Sequence, residues 1–164
     1  MEKLLNKLLA DLVVEYHKLQ SYHWYLKGYH FFDDHPKLES YYDMIAGMVD
    51  GVAEDMLKLS LKPESTMKGF LALTSVEEAE NKEVTSAEAF ASTLKDFELL
   101  RDDVLAVKKA ADESGDYLTS ALMDDYIESF YKEIWMLRQV LKLEDLLTVR
   151  RGCGKCTSFL TAPF

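Results

Sequence analysis

Side chains that can bind a metal ion are concentrated in the first third of this sequence. All four histidines of the chain fall before residue 36, and they are His17, His23, His30 and His35. Four carboxylates follow at intervals that suit one helix, namely Glu39, Asp43, Asp50 and Glu54. Imidazole and carboxylate groups together bind hard and borderline metal ions. The first chemistry that the sequence suggests is therefore metal binding.

These groups cannot all reach one ion within a single helix. His35 and Glu39 are one turn apart, and so are Asp50 and Glu54. Glu39 and Asp50 fall on the same face, but they lie about 16 Å apart along the axis. The usual metal site inside a helix bundle needs Glu-x-x-His on two helices, and this sequence contains no Glu-x-x-His. One chain therefore supplies only part of a site.

A second copy of the same helix, antiparallel across a two-fold axis near Ala46, completes the set. Glu39 of one copy then comes level with Asp50 and Glu54 of the other. The first helix brings His23 to the same end, because His23 and Glu39 stand at similar distances from the turn between their helices. A symmetric contact of this kind makes two identical sites. The spacing thus predicts an inter-subunit metal site, two per dimer.

Helical periodicity supplies the elements that would position these residues. Residues 3–27 carry one buried stripe of leucines seven residues apart, which are Leu5, Leu12, Leu19 and Leu26. Gly28 ends this helix. Asp33 or Asp34 can cap a second helix, which we expect to run to about Leu61.

The second half of the chain predicts two more long helices. Residues 63–84 have mixed character, with a short helix expected at Met67–Leu73. Thr85 opens a capping box before an apolar run, and the third helix ends near Ser114. The fourth helix begins near Asp116. Two helix pairs joined by a long connection favour an all-α four-helix bundle with one crossover, the ferritin-like topology.

The C-terminal segment departs from this pattern. We predict a helical domain over residues 1–147 and a tail over 148–164. The tail contains Cys153-Gly-Lys-Cys156, which has too few ligands for a zinc site by itself. A redox role or a zinc site shared by two chains remains an alternative to an inert tail.

Composition narrows the class of protein. A chain of 164 residues suits one domain, and its net charge of −10 favours cations over nucleic acid. Two cysteines do not make a disulfide framework. Polar residues interrupt the apolar N-terminal segment, and no apolar stretch approaches ~18 residues, so we predict neither a signal peptide nor a membrane span. We therefore expect a cytoplasmic protein.

The run HWYLKGYHFFDDHPKLESYYD, from His23 to Asp43, resembles the Dps family, ferritin-like proteins that protect DNA in starved cells. The segments GDYLT (Gly115–Thr119) and IWML (Ile134–Leu137) match as well. The resemblance covers about residues 3–142. It implies a ferritin-like four-helix bundle with a short helix in the crossover between helices two and three. It also implies a hollow shell of twelve subunits.

The resemblance further implies an enzyme, a ferroxidase. Its inter-subunit ligands would be His23, His35, Glu39, Asp50 and Glu54, which serve as both catalytic and metal-binding residues. The expected activity is oxidation of Fe(II), preferably by hydrogen peroxide, with storage of a ferric mineral and protection against oxidative stress. Asp43, His17 and His30 stay outside this ligand set.

Three positions depart from the family's usual residues. The third ligand is usually Asp and is Glu39 here, which keeps the carboxylate and adds a methylene group. The residue after Glu54 is usually Arg and is Asp55. An Asp often found near the iron entry pore is Ala121, so an acidic pore would use other residues. Aromatic side chains near the expected site also suggest trapping of stray radicals, and these are Tyr22, Trp24, Tyr25 and Tyr29.

Two alternatives remain beside the ferroxidase. A DNA-binding shell with vestigial iron chemistry would depend on tail cations, which are Arg150, Arg151 and Lys155. Such a contact would be multivalent and would weaken as salt rises, and the acidic body opposes it, so the sequence favours iron chemistry over DNA. A purely structural helical bundle is the other alternative, but the convergent ligand set argues against it.

Overall fold

A computed structural model describes the backbone of residues 1–152 and the side chains of residues 1–142. Five helices and two strands of two residues each make up this part of the chain. In chain order they are α1 (Glu2–Tyr25), β1 (Leu26–Lys27), α2 (Phe31–Lys58), α3 (Met67–Leu73), β2 (Val84–Thr85), α4 (Ser86–Ser114) and α5 (Tyr117–Gly152). The predicted all-α bundle with a short helix in its crossover is confirmed. Within residues 1–152, no helix combines the length and apolar character needed to cross a membrane.

The four long helices pack as two pairs. α1 lies mainly against α2, and α4 lies mainly against α5, while contacts between α1 and α4 join the two pairs. The predicted leucine stripe of α1 is buried along its whole length, and so are the core residues that face it, which include Leu38, Ile45, Val52, Phe97, Leu100, Met123 and Phe130. Each such side chain contributes about 1.5–3 kcal/mol on burial. This shared core fixes how α1 and α2 approach each other.

The caps of the second half follow the local sequence. Glu88 N donates to Thr85 Oγ1 at 3.3 Å, and Thr85 N donates to Glu88 Oε2 at 2.9 Å, so the predicted capping box is confirmed. Gly115 follows α4 with a left-handed φ of 71°, the conformation that favours glycine after a helix.

Three predicted helix boundaries were wrong. The first helix ends at Tyr25 because the next two residues form β1, which pairs in parallel with β2. α2 begins before Asp33 and Asp34, neither of which caps it. The Asp34 carboxylate instead accepts a hydrogen bond from Ser86 Oγ at 2.5 Å, which ties the start of α2 to the start of α4. α2 also ends at Lys58, earlier than expected.

The domain boundary at residue 147 stays a prediction. α5 continues to Gly152, past the predicted start of the tail. Residues 153–164 lie outside the described part of the chain. Cys153 and Cys156 are among them.

Candidate metal centre

The predicted ligands His23 and His35 hold each other in place. His23 lies near the end of α1 and His35 near the start of α2. His23 Nδ1 donates to the backbone oxygen of His35 at 2.9 Å, and His35 Nδ1 donates to the backbone oxygen of His23 at 2.9 Å. A carbonyl oxygen only accepts, so each Nδ1 must carry the hydrogen. This arrangement leaves Nε2 of each ring available to a metal ion, and it is the arrangement usual for histidine ligands, which donate their other ring N–H to a neighbour.

Neighbouring rings restrict the two imidazoles further. The rings of His23 and His35 stack with their centroids 3.6 Å apart and an interplanar angle of 22°. Phe31 stacks on His35 at 4.8 Å, and Tyr42 meets His23 edge to face at 5.4 Å. His23 is buried and His35 is half-buried. The pair is therefore a rigid donor set within one chain.

The three predicted carboxylate ligands differ from the histidines in their exposure. Glu39, Asp50 and Glu54 all lie on the exposed surface of α2. Glu54 accepts a hydrogen bond from Lys58 Nζ at 3.4 Å, but both side chains are 58% exposed, so this ion pair contributes little. Among the described side chains, no group of three or more His, Cys, Asp or Glu residues could hold a metal ion. The structure thus joins the two histidines, and the five-ligand set stays a prediction.

The surface of α2 between Glu39 and Asp50 carries small, exposed residues. Ala46 and Gly47 are exposed, and a Cβ atom added at Gly47 would meet no atom within 4 Å. Gly51, one turn later, differs sharply, because a Cβ there would lie 2.2 Å from the hydroxyl oxygen of Tyr126. α2 therefore uses Gly51 to pack against its own chain, whereas Gly47 leaves room outside the subunit.

The remaining candidates from the sequence lie apart from the histidine pair. The ring of His17 meets that of Trp24 edge to face at 5.9 Å. His30 precedes α2 and packs against Tyr29. Asp43 is exposed on α2. None of the three joins His23 and His35.

Sequence reasoning missed two features around the candidate ligands. Tyr42, not one of the four aromatic residues expected to crowd the site, contacts the ring of His23. Tyr42 lies seven residues after His35 on the same face of α2, and this spacing could have predicted that it lies near the histidine pair. Asp55 is buried and accepts a hydrogen bond from Thr119 Oγ1 at 2.7 Å. Burial and the Asp55 carboxylate raise the pKa of Tyr126 to about 12.

Comparison with known proteins agrees with this architecture. The family model of the ferritin-like domain matches residues 2–147. The crystal structure of antigen TpF1 from Treponema pallidum is similar, with a TM-score of 0.84 and 36% identity, over 85% of this chain and 90% of that one. The fold and the matched residues define a ferritin-like four-helix bundle protein.

Two further relatives identify the family within the ferritin-like proteins. "DNA protection during starvation protein 2" of Bacillus anthracis is 36% identical over 139 residues, which are 85% of this chain and 94% of the relative. The crystal structure of a Vibrio cholerae Dps protein matches with a TM-score of 0.81 and 33% identity, over 84% of this chain and 86% of that one. Its description places that protein in a broad superfamily of ferritin-like diiron-carboxylate proteins. The chain belongs to the Dps family.

Proposed function

We propose that this protein is a ferroxidase and iron-storage protein. It oxidises Fe(II), preferably with hydrogen peroxide, at sites shared by two subunits, and it stores the ferric product in a shell of twelve. The observation that carries this proposal is the rigid pair of His23 and His35, each with Nε2 left to bind a metal. A row of exposed carboxylates runs along the same helix that carries His35. Iron is the substrate in this reaction.

The exposed face of α2 supports a site shared by two copies. Glu39 is one turn from His35, whereas Asp50 and Glu54 lie too far along the helix to reach the same ion from the same chain. An antiparallel second α2 would bring its Asp50 and Glu54 level with Glu39. The open space at Gly47 favours the close approach that this arrangement needs. Membership of the Dps family also favours assembly, because the resemblance to that family implies a shell of twelve subunits.

The chemistry fits the donor types. The two imidazole rings stack with their centroids 3.6 Å apart, so both can bind iron at one site. The carboxylates would hold iron before and after oxidation. Two Fe(II) ions give two electrons, and with two protons these reduce one hydrogen peroxide to two water molecules. Paired transfer avoids the one-electron reduction that releases hydroxyl radical.

The net charge of the chain supports substrate delivery. A formal charge of −10 per subunit makes a field that raises the local concentration of cations. Repetition of this charge over a shell would strengthen the attraction. Iron entry would therefore slow as ionic strength rises.

The test is anaerobic titration with Fe(II), followed by peroxide, on protein whose mass is measured by light scattering. We expect ferric absorbance to develop much faster than in buffer. Asp50→Asn should lower the initial rate at least tenfold, since it removes a charged ligand and keeps the shape. His23→Asn should do the same, because its amide nitrogen can replace Nδ1 as the donor to His35 while Nε2 is lost.

Asp43→Asn is the matched control. It removes an exposed carboxylate from the same helix but not a predicted ligand, so the initial rate should change less than twofold. Equal losses in Asp43→Asn and Asp50→Asn would contradict the ligand assignment. A monomer in solution would contradict the shared site, and a rate no faster than that in buffer would contradict the ferroxidase itself.

The DNA-binding alternative stays a prediction. It depends on Arg150, Arg151 and Lys155, whose side chains lie outside the described part of the chain. Protection against oxidative stress and a cytoplasmic location belong to the proposal in the same way, since both follow from the proposed chemistry and family rather than from the geometry.

A further inference from the structure

Tyr42 packs against the histidine pair and lies close to Glu39 along α2. It lies two turns after His35 and three residues after Glu39, so all three share one side of the helix. Its ring meets that of His23 at 5.4 Å with an interplanar angle of 89°. His23, by contrast, belongs to α1. Tyr42, on α2, therefore contacts the predicted ligand His23 of the neighbouring helix α1.

Tyr42 is itself held in place. On its other side its ring meets that of Tyr16 at 6.0 Å, again at 89°. The Tyr16 hydroxyl oxygen accepts a hydrogen bond from Gln20 Nε2 at 2.9 Å. The Tyr42 ring is thus supported by Tyr16 on the side away from His23, and it gives the imidazole a fixed surface to pack against.

The contacts of His23 show why a fixed Tyr42 ring matters for its orientation. One hydrogen bond from Nδ1 fixes one point of the ring but leaves the ring able to tilt about that bond. The stack with His35 limits tilt toward one face, and the Tyr42 ring limits movement elsewhere. A donor nitrogen held in this way loses little conformational freedom when a metal binds.

We propose that Tyr42 is a positioning residue, whose aromatic ring fixes the orientation of the His23 imidazole for metal binding. This inference rests on the proposed function, because His23 must be a ligand for its orientation to matter. The ring is the active feature, and the hydroxyl group is not. Loss of a hydrogen-bonded outer partner of a metal ligand typically lowers metal affinity by about 10–100-fold, and we expect loss of a packing partner to fall at the low end of this range.

Anaerobic titration with Co(II) tests this role without any oxidation step. The visible absorption bands of Co(II) report the coordination geometry, and the titration gives the dissociation constant. In Tyr42→Leu we expect binding about tenfold weaker, with altered bands. Tyr42→Phe keeps the ring, so its Co(II) affinity and its spectrum should equal those of the wild type. Tyr131→Leu, which removes a half-exposed tyrosine ring from α5, should match the wild type.

Two results would overturn the inference. One is a Tyr42→Leu protein that binds Co(II) with the wild-type affinity and spectrum. The other is an equal loss in Tyr42→Leu and Tyr42→Phe, which would assign the effect to the hydroxyl. Tyr42→Met fills similar volume without a ring and replaces Tyr42→Leu if that variant fails to assemble. If the wild type itself neither binds Co(II) nor oxidises Fe(II), the proposed function fails instead.

Discussion

The subunit keeps carboxyl groups in two contrasting settings. Between α1 and α4, Glu15 and Asp96 are buried around a single cation, and Lys18 Nζ donates to Asp96 Oδ2 at 2.6 Å. On the outer face of α2, the carboxylates of Asp50 and Glu54 stand in solvent. Burying a charge is costly unless it is paired, whereas an exposed carboxylate costs almost nothing. The buried group should therefore govern stability, and the exposed group should govern function.

Glu15 contrasts with the exposed carboxylates of Asp50 and Glu54 in its burial. It is 0% exposed, and neither of its carboxyl oxygens has a hydrogen-bond partner among the described residues. Burial raises the pKa of Glu15 well above its usual value, the charge of Asp96 raises it further, and Lys18 opposes the shift only in part. One ammonium group between two carboxyl groups thus favours the protonated form of Glu15.

The largest effect on stability is expected for Lys18→Met. This change leaves two buried carboxyl groups without a cation, and breaking a buried ion pair typically costs about 3–5 kcal/mol. Urea unfolding of metal-free protein at pH 7, in a matched oligomeric state, measures the loss. The double variant Lys18→Met with Asp96→Leu should recover most of it, because no uncompensated charge remains. A loss below about 1 kcal/mol in the single variant would contradict the pairing.

Glu15→Leu should have a smaller effect of opposite sign. An unpartnered buried polar group costs about 1–3 kcal/mol, so replacing it with an apolar side chain should raise the free energy of unfolding at pH 7. The wild-type pKa is higher in the folded state, so ionisation favours the unfolded chain as pH rises above about 4.3. The gain should therefore grow from pH 4 to pH 7. A gain that does not change with pH would argue against a protonated Glu15.

Asp50→Asn should change stability least. Its carboxylate is exposed, and exposed substitutions usually alter the free energy of unfolding by less than about 0.5 kcal/mol. The same urea measurement on metal-free protein checks this value. A loss above 1 kcal/mol would show that Asp50 is already paired within the protein, and it would remove the contrast between the two settings.

Local patterns predicted most of the fold because they act over a few residues. The leucine stripe of α1, the helix Met67–Leu73, the Thr85 capping box and Gly115 each depend on side chains within one or two turns. The pairing of β1 with β2 could not be predicted in this way, since strands of two residues show no alternation. The start of α2 was also missed, because Asp34 is bound by Ser86, far along the chain.

For the candidate site too, local spacing predicted some features, and contacts between distant parts of the chain determined the others. Spacing alone selected His23 and His35, which the structure brings together, and it predicted that one chain could not collect the whole ligand set. The reciprocal bonds of the two histidines could not be foreseen, because they join side chains to backbone oxygens across a turn. Lys18 and Asp96 are 78 residues apart, so only the packing of α1 on α4 shows that they meet.

The preset histidine pair has a consequence for metal selectivity. One subunit alone offers two imidazole nitrogens, a donor set that suits zinc, copper and nickel as well as iron. Carboxylate oxygens from a second subunit would make the donor set harder and more favourable to iron. On the proposed arrangement, the discrimination between competing metals is therefore acquired when subunits associate. On that arrangement, an unassembled chain would bind zinc, copper or nickel more readily than the proposed assembly would.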